Sequence, residues 1–425
     1  MTRTVRLLAA PVAVVLLVLP LPLPAQEPPP DATDLINALL AGLVGFQEVT
    51  GPELQKEVAE AGGVPFRYDV RLEYIDRGEL ARYLREIFDS EYPEPRARAE
   101  ERTLRALDLL PAGTDLRALR ARVLEENIVG FYDERPGRKR LYAVSADRTL
   151  TPSNQLVLSH ELRHALQDQY VDLHVALPSS VGDFDDRRLA WLTLMEGDAT
   201  LIMERFLRRR LSGVPEQASE GSDLLGGTVP AFAVPGAPPV VRDQLVQPYL
   251  VGLDFARALW RRGGAEALRG AWSRPPDSTE QVLHPEKYFA GETPRGVAEI
   301  PTPPGGSLLN EGVLGEMLTR TLLEEAPEAA AGWGGDRFRV FDLSGRTLLV
   351  WHSVWDTGRD AEEFLTALRA RFGRTHGPAE SRSGFSVFRS GGWSLAVGGT
   401  GDGALVLSSD DPRILRDAIG ARARP

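Results

Sequence analysis

Apolar residues recur at helical spacing from about residue 152 to 170, where Leu156, Val157, Leu158, Leu162, Ala165 and Leu166 alternate with polar positions, and the spacing predicts a helix. Thr151-Pro152-Ser153-Asn154 supplies its start, an N-cap residue followed by proline at the first helical position. A second helical run covers 185–210, with Leu192, Ala199 and Met203 on the face that carries Glu196, and a third opens at Gln247-Pro248-Tyr249 and reaches about Arg262. Upstream, Ile128 to Tyr132 and Arg140 to Val144 collect β-formers around Glu134-Arg135-Pro136-Gly137 and predict a hairpin. Residues 31–126 read as mainly helical, with one strand near Phe66 to Ile75 and charged helices around 77–89 and 94–109.

Beyond residue 306 the period changes. Arg337 to Leu343 and Arg346 to Trp355 predict paired strands around Ser344-Gly345, followed by a helix from Asp360 to Phe372. Strands near 384–389, 393–398 and 403–408 and a helix starting at Asp411-Pro412 complete a small α+β unit. The chain is therefore expected to be α+β, with a mainly helical domain over 31–305 that holds a small sheet and an accessory α+β domain over 306–425. Its cluster Trp333-Gly334-Gly335-Asp336-Arg337 reads either as a contact with the first domain or as a tight loop. Ser212 to Pro239, rich in Gly, Pro, Ser and Ala, reads as a mobile insertion or a lid.

The first helix carries His160-Glu161-Leu162-Arg163-His164. One helical turn puts positions i and i+4 on one face, so both imidazoles can reach one metal ion, and the carboxylate of Glu161 lies beside it as a general base. The bland reading is two surface histidines on an amphipathic helix. A zinc site needs a third ligand and keeps a fourth position open. His174 does not fit, because the three-histidine form requires glycine at 167 and histidine at 170, where this chain has Gln167 and Tyr170. Asp168 is one turn further on the same helix and cannot close a tetrahedron, so it reads as solvated or supporting. Glu196 is the strongest candidate, since a carboxylate on an apolar helix face is costly unless a cation partners it. Gly197 marks a close approach by another element, read as the His160 helix. The competing reading pairs Glu196 with an arginine.

With His160, Glu161, His164 and Glu196 in hand, the chain resembles the gluzincin branch of zinc metallopeptidases, in which HExxH is completed by a glutamate on a following helix. The resemblance is closest to peptidase-like bacterial extracytoplasmic proteins with an E-G-x-A run, and it covers about 115–290, including His164 to Gln169 and Ser278 to Tyr288. It implies a zincin-like fold for the domain over 31–305, Zn2+ held by His160, His164 and Glu196, and Glu161 as base for attack of a metal-activated water on a peptide bond. It also implies a strand edge beside the helix, for which 140–145 is a candidate, although the hairpin could equally only pack under the helix. Thr200 replaces an aspartate found in thermolysin, which leaves open which group orients the ligand histidines. Asp198 points about 200° away from Glu196 around the helix and is no simple substitute. Tyr249, His284 and Tyr288 are candidates to stabilise the oxyanion.

Arg3 and Arg6 precede an apolar run from Leu7 to Leu19 and Pro-Leu-Pro-Leu-Pro-Ala, which reads as a signal peptide over 1–25 cleaved after Ala25, or else as an uncleaved membrane anchor. The expected location is extracytoplasmic, secreted or in the cell envelope. The chain has no cysteine, which excludes disulfides and lipid attachment at a cysteine. A net charge of −11 argues against nucleic acid as a partner, and the resemblance implies a peptide or protein substrate. Lysine occurs only as Lys56, Lys139 and Lys287, which reads as a compositional bias towards arginine. Two alternatives to a peptidase stand: a catalytically silent zinc-containing envelope binding protein, and a zinc hydrolase of a non-peptide amide.

Overall fold

A computed structural model describes residues 14–15, 49–176, 184–210 and 236–422. Among them, the strands are β1 Val14–Val15, β2 Leu72–Ile75, β3 Gly130–Asp133, β4 Arg140–Val144, β5 Ser307–Gly312, β6 Trp333–Leu343, β7 Arg346–Trp355, β8 Glu380–Arg382, β9 Phe385–Ser390, β10 Trp393–Gly399 and β11 Gly403–Ser409. The helices used below are α1 Gly51–Gly62, α2 Arg77–Glu91, α3 Glu94–Ala106, α4 Leu116–Asn127, α5 Pro152–Val171, α6 Asp186–Arg210, α7 Pro239–Ser273, α8 Thr279–Leu283, α9 Pro285–Ala290, α10 Gly315–Leu323, α11 Gly358–His376 and α12 Pro412–Arg422. The chain is α+β. Apart from Val14 and Val15, the proposed signal peptide lies outside the described residues, as does the Ser212–Pro239 segment up to residue 235.

The first sheet has the order β1-β3-β4-β2, with β3 and β4 antiparallel and β2 parallel to β4. Because β4 is hydrogen-bonded on both sides, residues 140–144 have no edge to offer a substrate, which corrects that expectation. On the side away from β4, β3 is bridged among the described residues at Gly130 and Phe131 by Val14–Val15. The strand expected over 66–75 is shorter, because Phe66 and Val70 pack in loops against the core below the helix.

Helix α5 starts as its sequence demands: Thr151 caps it, Asn154 closes a capping box and Pro152 sits in the first turn. Leu158, Leu162 and Ala165 face Tyr132, Leu141 and Ala143 of the sheet and Leu54 and Val58 of α1. Leu166 turns instead to Leu194 and Met195 of α6 and to Leu253, Phe255 and Trp272 of α7. The helix is thus covered on all sides. Helix α7 begins eight positions before the expected Gln247, since Val240 and Val241 are drawn into the core and the helix continues through Pro248. It breaks at Gly263 and Gly264, the latter at φ 58°, just past the expected Arg262, and the chain then turns back to return Trp272 to the centre.

The second sheet has the order β5-β6-β7-β11-β10-β9-β8. Alternate residues of β7 face opposite ways: Leu349 and Trp351 meet Phe364 and Leu368 of α11, while Leu348 and Val350 join Leu415 and Ile419 of α12. The α11 side also takes in Leu104 of α3, Phe184, and Val240 and Val241 of α7. Arg102 reaches Asp342 at 2.8 Å and Thr347 at 2.9 Å. One apolar core therefore spans the position near 306. The Trp333–Arg337 cluster makes contacts: Gly334 accepts from Arg295 N at 2.6 Å, and Asp336 accepts from Leu314 N and Gly315 N at 2.9 Å.

Candidate metal centre

Burying α5 on all sides puts its polar residues out of water, so each requires a partner. His160, Glu161, Arg163 and Gln167 are 0% exposed and His164 is 1% exposed. The two histidines point the same way, with Nε2 atoms 2.9 Å apart, and Glu196 Oε2 lies 3.1 Å from His160 Nε2 and 3.3 Å from His164 Nε2. These are the donor types zinc takes, and a tetrahedral shell with bonds of about 2.0–2.1 Å has edges of about 3.3 Å. The three atoms therefore fit one face of such a shell, and two imidazoles with one carboxylate suit the ion chemically.

The charges follow from this packing. Burial works against an ionised Glu196, but the histidines outweigh it and hold its pKa down to about 2. Burial likewise opposes a cationic His164, yet Glu196 raises it to about 9, whereas burial and then the charge on His164 take His160 down to about 4.

His164 is oriented by a buried chain of groups that the sequence reading did not identify. His164 Nδ1 lies 2.8 Å from Gln167 Oε1, while Gln167 Nε2 donates to Met195 O at 3.1 Å and to Asp198 Oδ2 at 2.8 Å. With its NH2 committed to two acceptors, the amide must turn its oxygen to His164, so Nδ1 carries the hydrogen and Nε2 faces Glu196 and His160. Asp198 is held in turn by Arg163, whose Nε and Nη2 contact it at 3.0–3.2 Å, and by Trp272 Nε1 at 3.0 Å. Asp198 does point away from Glu196, as its helix position requires, and acts through Gln167 instead. The signal was available: Gln167 is at i+3 from His164, and Arg163 and Asp198 are opposite charges on two apolar helices. His160 Nδ1, by contrast, has no hydrogen-bond partner among the described residues.

Glu161 is anchored from the sheet: its Oε2 accepts from Tyr132 N of β3 at 2.9 Å. Two turns on, Asp168 accepts from Tyr132 Oη and Leu173 N at 2.8 Å and pairs with Lys139 at 3.0 Å. Asp168 is thus a buried link between helix and hairpin rather than a solvated residue. His174 lies beyond the end of α5, outside the His160, His164 and Glu196 group.

Gly197 marks a close approach, but by α7 rather than by the His160 helix. A Cβ on Gly197 would lie 2.0 Å from the Gly252 carbonyl, and one on Gly252 would lie 2.2 Å from Thr193 O. This contact brings Tyr249, one turn before Gly252, over the centre, its ring centroid 5.9 Å from that of His160. Burial first, then the carboxylates of Glu196 and Glu161, push its hydroxyl pKa well up, so the group stays a donor. The other two oxyanion candidates are elsewhere. His284 Nε2 pairs with buried Glu316 at 3.0 Å, and Tyr288 Oη donates to Arg274 O at 2.8 Å.

A second trio with ligand-like spacing, Glu280, Glu292 and Asp356, surrounds a cation the protein supplies itself: Lys287 Nζ lies 2.7, 2.8 and 2.5 Å from the three carboxylates. Among known proteins, a family model described as a domain of unknown function (DUF8575) matches residues 306–416, which cover the second sheet. No curated protein matches the chain. No solved structure matches it either.

Proposed function

We propose that this protein is a zinc-dependent peptidase of gluzincin type, with a zincin-like domain around α5 and β3, in which His160, His164 and Glu196 hold the metal and Glu161 is the general base. The observation that carries the reading is the convergence of two imidazole nitrogens and one carboxylate oxygen, all buried, within 3.3 Å of one another, next to a buried glutamate anchored on a strand. When bound, zinc would polarise the scissile carbonyl and ease ionisation of a water molecule. Glu161, its carboxylate kept in place by the Tyr132 amide, would take a proton from the attacking water and deliver it to the leaving amine. Tyr249, kept as a neutral donor, stabilises the oxyanion. Gln167 fixes the tautomer of His164. Since β4 has no free edge, an extended peptide would lie alongside Tyr132 and Asp133 of β3, past the two residues that Val14–Val15 bridge.

The apolar run after Arg3 and Arg6 supports an extracytoplasmic location, and no described helix is long and apolar enough to cross a membrane. Glu161 favours catalysis over a silent binding role, because a purely structural site has no use for a base and is more often closed by four protein ligands. The test is to incubate the zinc-loaded protein and its Glu161→Ala variant with a diverse peptide mixture and read the products by mass spectrometry. Cleavage by the wild type alone is expected. Zinc bound in both with cleavage in neither would overturn the reading in favour of a binding protein or a non-peptide substrate.

A further inference from the structure

Between the helices that carry Glu196 and Tyr249 and the C-terminal unit is a cavity of about 310 Å³, within the roughly 300–1,000 Å³ that ligand pockets occupy. Its walls come from six helices, and its apolar lining includes Phe88 of α2, Leu192 of α6, Leu245 of α7, and Met317 and Leu318 of α10. Two of its helices also carry groups of the metal centre. Leu192 is one turn before Glu196 on α6, and Leu245 is one turn before Tyr249 on α7. Residues four apart on a helix are neighbours on one face, about 5–6 Å apart between Cβ atoms. Both helices therefore lead from the cavity wall to the centre in a single turn, and the Gly197–Gly252 contact fixes them against each other.

Resting on the peptidase reading, we infer that this cavity is the subsite for a large apolar or aromatic side chain of the substrate, and that the C-terminal unit builds one of its walls. Leu192 and Leu245 are half-buried, so part of their apolar surface meets solvent until an occupant covers it. The far wall, Met317 and Leu318, belongs to the stretch matched by the domain of unknown function, and its position is set by Asp336 accepting from Leu314 N and Gly315 N. The C-terminal unit thereby acquires a role in choosing substrates that neither its lack of a ligand motif nor its family match suggests.

The test separates this inference from the reading beneath it. Two fluorescent peptides, identical except for phenylalanine or alanine at one position scanned along the chain, are bound by anisotropy to the full-length Glu161→Gln protein, which cannot turn them over. The same pair is given to the wild type for kcat/KM. At one position the phenylalanine peptide should be preferred about 10- to 200-fold. Leu318→Trp and, on a different helix, Leu245→Trp should each shift the phenylalanine-to-alanine ratio towards alanine, provided thermal melting shows a folded protein. Leu192→Ala, a smaller change, should reduce the preference without filling the cavity. A binding preference without cleavage leaves the subsite standing and removes the peptidase. Cleavage with no preference, or with a preference that none of the three variants changes, overturns the subsite and leaves the peptidase. Neither binding nor cleavage overturns both.

Discussion

At the scale of single residues, the placing of His164 beside Glu196 depends on groups outside that cluster. Gln167 is the clearest case, because its amide reads the carboxylate of Asp198 on one side and dictates the tautomer of His164 on the other. Gln167→Leu should lower zinc affinity about 10- to 100-fold while the protein stays folded, measured by competition with a chromophoric chelator. The double variant Gln167→Glu with Asp198→Asn moves the negative charge one step along the chain and should recover part of the loss. A separate residue-scale effect concerns His284. Glu316 hydrogen-bonds it and raises its pKa, with Glu286 and Glu280 adding to the field, while burial opposes the shift. Its stabilising contribution is therefore complete below the unfolded value of about 6.5 and is lost as pH rises through the folded one. Melting temperature should fall across that window in the wild type, and His284→Gln should flatten the fall.

At the scale of elements, two contacts set the geometry: β3 against α5, which holds Glu161, and α6 against α7, which holds Glu196 beside Tyr249. The second depends on paired glycines with no room for a side chain. Gly252→Ala should cost about 1–3 kcal/mol in denaturant unfolding, the usual range for overpacking, and should weaken zinc binding because Glu196 and Tyr249 shift together. An unchanged midpoint would show that the helices can separate without consequence. Much of this was legible in the sequence. The capping residues and apolar spacing of α5 gave its start and its end to within a residue, and the HExxH spacing with an acid on an apolar helix singled out the three groups that converge. What escaped was set by long-range packing. The partner of Gly197 is 55 positions away in sequence, at Gly252. β5 and α10 follow a proline- and glycine-rich stretch and are stabilised by pairing with β6 and by burial under α11, neither of which a local pattern encodes. Pro248 imitated a helix start because proline favours that position, while the burial of Val240 and Val241 carried the helix back to Pro239.

At the scale of the whole molecule, the two sheets are not independent bodies. Phe184, Val240 and Val241, from the part that carries the centre, are buried in the same core as Trp351, Trp355 and Phe364. The Lys287 cluster with Glu280, Glu292 and Asp356, together with the Arg102–Asp342 pair, adds polar ties across the same boundary. Ending the chain at residue 305 should therefore expose that core and abolish cooperative folding, whereas the intact protein should unfold in one calorimetric transition. Two separated transitions, with a soluble zinc-binding product from the truncation, would argue for autonomous domains. The most direct test of the central claim is zinc stoichiometry after exhaustive dialysis, measured by elemental mass spectrometry on the wild type, Glu196→Ala and Glu161→Ala. One zinc per chain in the wild type and in Glu161→Ala, with loss in Glu196→Ala, is the predicted result; equal zinc in the wild type and Glu196→Ala would contradict it.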